Sequence, residues 1–152
     1  MMLIQFGVAF LATISFSILF SAPKKNTVFC GLTGAFGWII YYLLTQSGIS
    51  EVAACVTATF VLTIMSRAFA AIFRTPGTVY LLSGIFPLVP GAGIYYTAYY
   101  MFRGDHAMSG AMGLQTFEVA AAIVFGIIFG FAIPQVWFNR FGKLFHKKKE
   151  NE

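Results

Sequence analysis

Residues 86–95 read Phe-Pro-Leu-Val-Pro-Gly-Ala-Gly-Ile-Tyr, two prolines and two glycines inside an apolar stretch. Pro87 and Pro90 have no amide hydrogen to donate to the carbonyls of Ser83 and Phe86, so a helix passing through them loses both bonds. Those carbonyls need other partners, because unsatisfied backbone in hydrocarbon is expensive. A second helix starting near Gly91 leaves the amides of Gly91, Ala92, Gly93 and Ile94 without intrahelical acceptors, at the positive end of a helix dipole and aimed toward the middle of the bilayer. Donors grouped in this way hold anions such as carboxylates. The glycines keep the approach clear, and Tyr95 follows. Two meanings stay open. The break is either a binding site for an anionic group, as in transporters built from discontinuous helices, or a proline kink repaired by neighbouring helices.

Few other side chains could do chemistry. Arg67 lies about two turns before Arg74, roughly 10 Å inside the end of its apolar segment. Either it snorkels to the interface, or it faces the bundle and pairs with an anionic substrate, with the Ser66 hydroxyl beside it. Glu118 stands about one turn inside another segment, where a carboxylate partly removed from water suits proton coupling. The alternative is a shallow, wet position shared with Gln115 and Thr116. Glu51 and Asp105 fall in predicted loops and read as solvated. His106 and His146 are far apart on opposite faces, so neither a metal site nor a Ser-His nucleophile is expected. No phosphate-binding glycine loop is present. Cys30 and Cys55 lie inside apolar runs without paired spacing and read as small packing residues. No catalysis, metal or cofactor is expected.

The elements that must position these residues are membrane helices. The 152 residues are 59% hydrophobic and only 10% charged, against about 25% charged in soluble domains, and the mean hydropathy is +0.80. The net charge of +5 does not signal nucleic acid, because the positives sit between apolar runs and in the tail from Lys143 to Lys149. Five apolar segments stand out: 3–20, 28–44, 52–73, 77–102 and 114–138. Each is long enough to cross a bilayer, which takes about 20 residues. The first starts at Met1 with no basic residue before it, so it reads as a retained helix and not a secretory signal. The expected fold is an all-α integral membrane protein of five transmembrane helices. Residues 1–142 form one transmembrane domain, and 143–152 a basic cytoplasmic tail.

The fourth segment decides the topology. As one straight helix it would be about 39 Å long, against a hydrocarbon core of about 30 Å. It could cross once with a break at Pro87–Gly91, cross twice, or dip and return. A single crossing places the N-terminus outside and the C-terminus inside. Lys24, Lys25, Arg74, Arg140, Lys143 and Lys147 to Lys149 are then all cytoplasmic, as the positive-inside rule asks, and only Arg103 is outside. The other options split the basic clusters between faces. Gly31, Gly34 and Gly37, and likewise Gly126 and Gly130, recur at spacings that let helix backbones approach closely, within the chain or at a subunit interface. Tyr41, Tyr42, Tyr99, Tyr100 and Trp137 sit near segment ends and read as interfacial anchors.

The run Phe86-Pro87-Leu88-Val89-Pro90-Gly91 with Tyr95 resembles the signature of the C-terminal half of threonine/serine exporters. Phe20 with Pro23, Ser66-Arg67, and Pro76 ahead of the broken segment match as well, over about residues 6–138. In that family the transporter is one polypeptide of about ten helices or two separate chains, and this sequence is similar to the small chain of the split form. The resemblance implies a larger membrane partner carrying the other five helices. It also implies proton-motive-force-driven export, across a bacterial inner membrane, of small carboxylate metabolites: threonine and serine, or succinate-type dicarboxylates. The sites expected are Pro87, Pro90, Gly91, Ala92, Gly93, Tyr95, Ser66 and Arg67 for substrate, and Glu118 for protons. The alternative function is a non-transporting membrane subunit that stabilises or regulates a partner.

Overall fold

The computed structural model describes residues 2–138. The tail cations Arg140, Lys143 and Lys147 to Lys149, and His146, lie outside the described residues. The elements are α1 (Met2–Leu19), α2 (Thr27–Gln46), α3 (Glu51–Phe73), α4 (Gly77–Ile85), α5 (Gly91–Phe102) and α6 (His106–Ala132). Short 3-10 turns at Lys24–Asn26 and Phe86–Leu88 precede α2 and follow α4, and among the described residues there is no strand. Four helical stretches, α1, 24–46, α3 and α6, are each long and apolar enough to cross a membrane. The 77–88 stretch and α5 make a fifth span when taken together, bent by 51° at the break. The expected all-helical, five-segment architecture is what the chain adopts.

Local chemistry sets the helix ends. The Ser50 hydroxyl accepts from the Ala53 amide at the start of α3, and Asp105 Oδ1 accepts from the Met108 amide at the start of α6. Each cap satisfies one of the orphan donors of a first turn. Pro76 and Pro90 precede α4 and α5, where a missing amide hydrogen does no harm. Arg74 closes α3 in a left-handed conformation, φ 51°.

The interior is built from small and hydroxylated side chains. Ala58, Leu62, Leu88, Val119 and Ala122 are buried in one cluster. Thr13, Thr33, Thr63, Ser66 and Ser83 are buried as well, and each hydroxyl donates to a carbonyl one turn earlier on its own helix. That back-bonding removes the penalty of a polar group in the core. The glycines expected to permit close approach do so within the chain. A methyl at Gly126 would sit 2.7 Å from the Val56 carbonyl oxygen, and one at Gly130 would sit 2.5 Å from Thr63 Cγ2. Gly31 and Gly34 face Phe10 and Thr13 of α1, and Gly37 faces Leu62 of α3.

These contacts also give direction. Gly126 meets Val56 and Thr59, and Gly130 meets Thr63, so α6 runs parallel to α3. α4 packs on α2 and α3, whereas α5 packs chiefly on α6. Asn26 Nδ2 donates to Thr75 Oγ1 at 3.0 Å, which brings the loop bearing Lys24 and Lys25 and the loop after Arg74 to the same end of the bundle. The charge rule had grouped these cations on one face.

Candidate functional site at the broken span

The break is a defined turn. Val89 N donates back to Phe86 O at 3.2 Å, which supplies the carbonyl that Pro90 cannot serve. Val89 is extended, and Gly91 N closes a tight turn onto Val89 O at 2.7 Å. α5 then starts, and Ile94 N donates to Pro90 O at 3.1 Å. Of the four amides expected to be free, Gly91 and Ile94 are therefore engaged. The amides of Ala92 and Gly93 have no hydrogen-bond acceptor among the described residues. A Cβ added to Gly91 would meet nothing within 4 Å, so the approach to this turn is open. Gly93 is different: its α-carbon faces the Thr116 side chain, and its carbonyl accepts from Thr97. It is the packing point of α5 on α6. Phe86 anchors the other side of the break, with its ring 4.1 Å from Phe16 and 5.2 Å from Phe20.

Two cavities flank Pro90. One, of about 240 Å³, is lined by Glu51, Ala92, Gly93, Tyr96, Gln115 and Thr116 among others. The second, of about 210 Å³, is lined by Trp38, Tyr41, Glu51, Cys55, Gly91 and Ala92 among others. Both are below the roughly 300–1,000 Å³ of drug-sized pockets, a scale that suits a metabolite of few heavy atoms.

The Glu51 carboxylate belongs to both walls. Its Oε1 accepts from the Tyr41 hydroxyl at 3.0 Å and its Oε2 from Gln115 Nε2 at 2.9 Å, which joins α2, α3 and α6 beside the break. Glu51 read as a solvated loop residue from sequence; it is half-buried at the head of α3. Its partners lie 10 and 64 residues away, and no local pattern announces them. Tyr96, and not Tyr95, lines the first cavity; Tyr95 points outward, 62% exposed, and stacks with Tyr99.

Arg67 does not meet the break. It is 5% exposed and follows Glu51 along α3 by about 24 Å at 1.5 Å per residue. Nη1 donates to the carbonyls of Gly130 and Ile133 at 2.7 and 2.6 Å. Nε and Nη2 donate to Gln135 Oε1 at 3.1 and 2.6 Å. The guanidinium also lies 4.5 Å from the centre of the Phe138 ring. A cation here compensates the negative end of the α6 dipole and occupies carbonyls that have no further helical donors. Of the two readings left open by the sequence, snorkelling to the interface is not what the structure shows: the guanidinium turns into the bundle and caps α6. The Ser66 hydroxyl is turned back onto Leu62 O at 2.9 Å.

Glu118 is exposed on α6, one residue before the buried Val119, and lines neither cavity. The break also lies level with the first residue of α3 instead of its middle, since Pro90 and Glu51 share both cavities. The donors were expected to face the centre of the bilayer; the fold sets them near one end of a helix of 23 residues.

The sequence model described as Threonine/Serine exporter, ThrE, matches residues 5–133 of the chain. No curated protein and no solved structure matches it.

Proposed function

The chain belongs to the threonine/serine exporter family, and from that premise we propose that it is the small membrane subunit of a secondary exporter. The exporter is driven by the proton motive force and works with a larger membrane partner in a bacterial inner membrane. Its cargo is a small carboxylate metabolite, of the threonine/serine or succinate kind. The observation that carries this reading is the pair of open amides at Ala92 and Gly93, on the wall of cavities of metabolite size. A substrate carboxylate accepts from those amides at the positive end of α5. The prolines keep the amides free, and Gly91 leaves room for the approach.

The level of the break gives the site a side. With Lys24, Lys25 and Arg74 cytoplasmic, the head of α3 and the cavities lie toward the external face, at the exit of an export path. Glu118, at the same level of α6, is the proposed proton-carrying group. A larger partner is supported by α5, which has no buried residue and exposes Ile94, Tyr95, Tyr96, Met101 and Phe102. These side chains need lipid or protein against them.

Efflux of labelled threonine, serine and succinate from cells with and without this chain tests the function. Export of at least one of them is expected to depend on the chain. Unchanged efflux of all three after its deletion refutes the role.

A further inference from the structure

We propose that Glu51 receives the ammonium group of the transported molecule, so that the site selects small metabolites bearing a primary amine over dicarboxylates. This rests on the exporter function above and specifies its substrate class. Glu51 presents a carboxylate to both cavities. Its two hydrogen-bond donors, Tyr41 and Gln115, are neutral, and no cation pairs with it among the described residues. A carboxylate has about four lone-pair positions, so acceptor capacity remains after those two bonds.

The surrounding walls favour a cation. Trp38 and Tyr41 line the second cavity beside Glu51, their ring centres 5.4 Å apart. Tyr96 lines the first. Aromatic faces next to a carboxylate attract ammonium groups through the ring quadrupole. The Trp38 indole is held in place by its own donor bond to Gln5 Oε1 at 3.0 Å. A dicarboxylate placed in the same space would set one of its two charges against Glu51, and a like-charge juxtaposition is rejected. Ala92, which carries one of the open amides, lines both cavities together with Glu51. In this proposal the ammonium of a substrate meets Glu51 and its carboxylate meets the Ala92 amide in the same cavity.

Inside-out vesicles from the native host, taking up labelled threonine in the export direction, provide the test. Serine keeps both the ammonium and the carboxylate and is expected to compete. Succinate and 3-hydroxybutyrate lack the ammonium and are expected to compete about tenfold more weakly or worse, the scale of one lost charge-assisted hydrogen bond. Glu51→Gln is expected to raise the half-saturating threonine concentration by a similar factor, with Glu51→Asp recovering part of the loss. Succinate or 3-hydroxybutyrate competing as well as serine in wild-type vesicles overturns the proposal, whether or not the variants accumulate. So does wild-type half-saturation in Glu51→Gln. Vesicles that take up neither threonine nor succinate above the level of vesicles lacking the chain refute the exporter function itself, and the ammonium site with it.

Discussion

Replacing Arg67 with methionine separates a structural cation from a substrate-binding one. The guanidinium satisfies the carbonyls of Gly130 and Ile133 and the side-chain oxygen of Gln135. Methionine keeps much of the apolar volume and removes every donor. Interhelical hydrogen bonds in membrane proteins average about 0.6 kcal/mol, so three acceptors lost at that rate amount to about 2 kcal/mol. The Gly130 contact is fully buried, and an orphaned buried acceptor costs about 1–3 kcal/mol, which raises the total toward 4 kcal/mol. Relief from burying a charge with no carboxylate partner offsets part of this. The expected net loss is thus about 2–4 kcal/mol, roughly 30- to 1,000-fold in the folded-to-unfolded ratio. Titrating the purified chain in mixed micelles with a denaturing detergent, and following helicity, measures it. Transport by whatever folded Arg67→Met protein remains should keep the wild-type half-saturating concentration, because the guanidinium is about 24 Å from the break. Wild-type stability together with a tenfold rise in half-saturation would refute the capping role and return Arg67 to the substrate path.

Gly91→Leu is expected to insert and fold normally, since a side chain there enters open space. It should nonetheless abolish export by covering the amides of Ala92 and Gly93; normal transport in a labelled-substrate assay would remove the amide site. Gly130→Val should destabilise the chain by about 1–3 kcal/mol, the usual penalty of overpacking, because its new atoms meet Thr63. The same detergent titration reads this, and Thr63→Ala in the same chain should restore part of it. A reporter fused after residue 152 should read as cytoplasmic and one fused before residue 1 as external. Both ends on one face would contradict a single crossing by the bent pair.

How far the sequence foretold the fold follows from what kind of signal each feature leaves. The helices of the bundle were legible because each is a run of apolar residues ended by charges, proline or glycine; the exception is the start of α6, at His106 instead of the expected 114, where the Asp105 cap begins the helix ahead of its apolar run. The break was legible because Pro87 and Pro90 remove donors wherever they stand. The function of Arg67 was not, since Gly130, Ile133 and Gln135 lie 63 to 68 residues along the chain, and only the parallel packing of α6 on α3 brings them near. Glu51 was misplaced for the same reason: a carboxylate beside a turn looks solvated until Tyr41 and Gln115 arrive from other helices. Tyr95 and Tyr96 differ by one residue, which on a helix is about 100°. Which of them lines a cavity depends on how Gly93 seats against Thr116, and periodicity alone does not report that register.

The union of Arg67 with the far end of α6 has a consequence for the making of the protein. The cation leaves the ribosome 63 residues before the Gly130 carbonyl that receives it. At about 5–20 residues per second, α3 spends on the order of 3–13 seconds with a charged side chain and no partner for it. An arginine at the centre of a membrane helix carries an insertion penalty of about 2.5–3.5 kcal/mol, and the cost that Arg67 brings to α3 is offset by hydrogen bonds only once the Gly130 and Ile133 carbonyls at the end of α6 are in place. A chain that stalls before residue 130 leaves the guanidinium without the two carbonyls that satisfy it in the folded bundle.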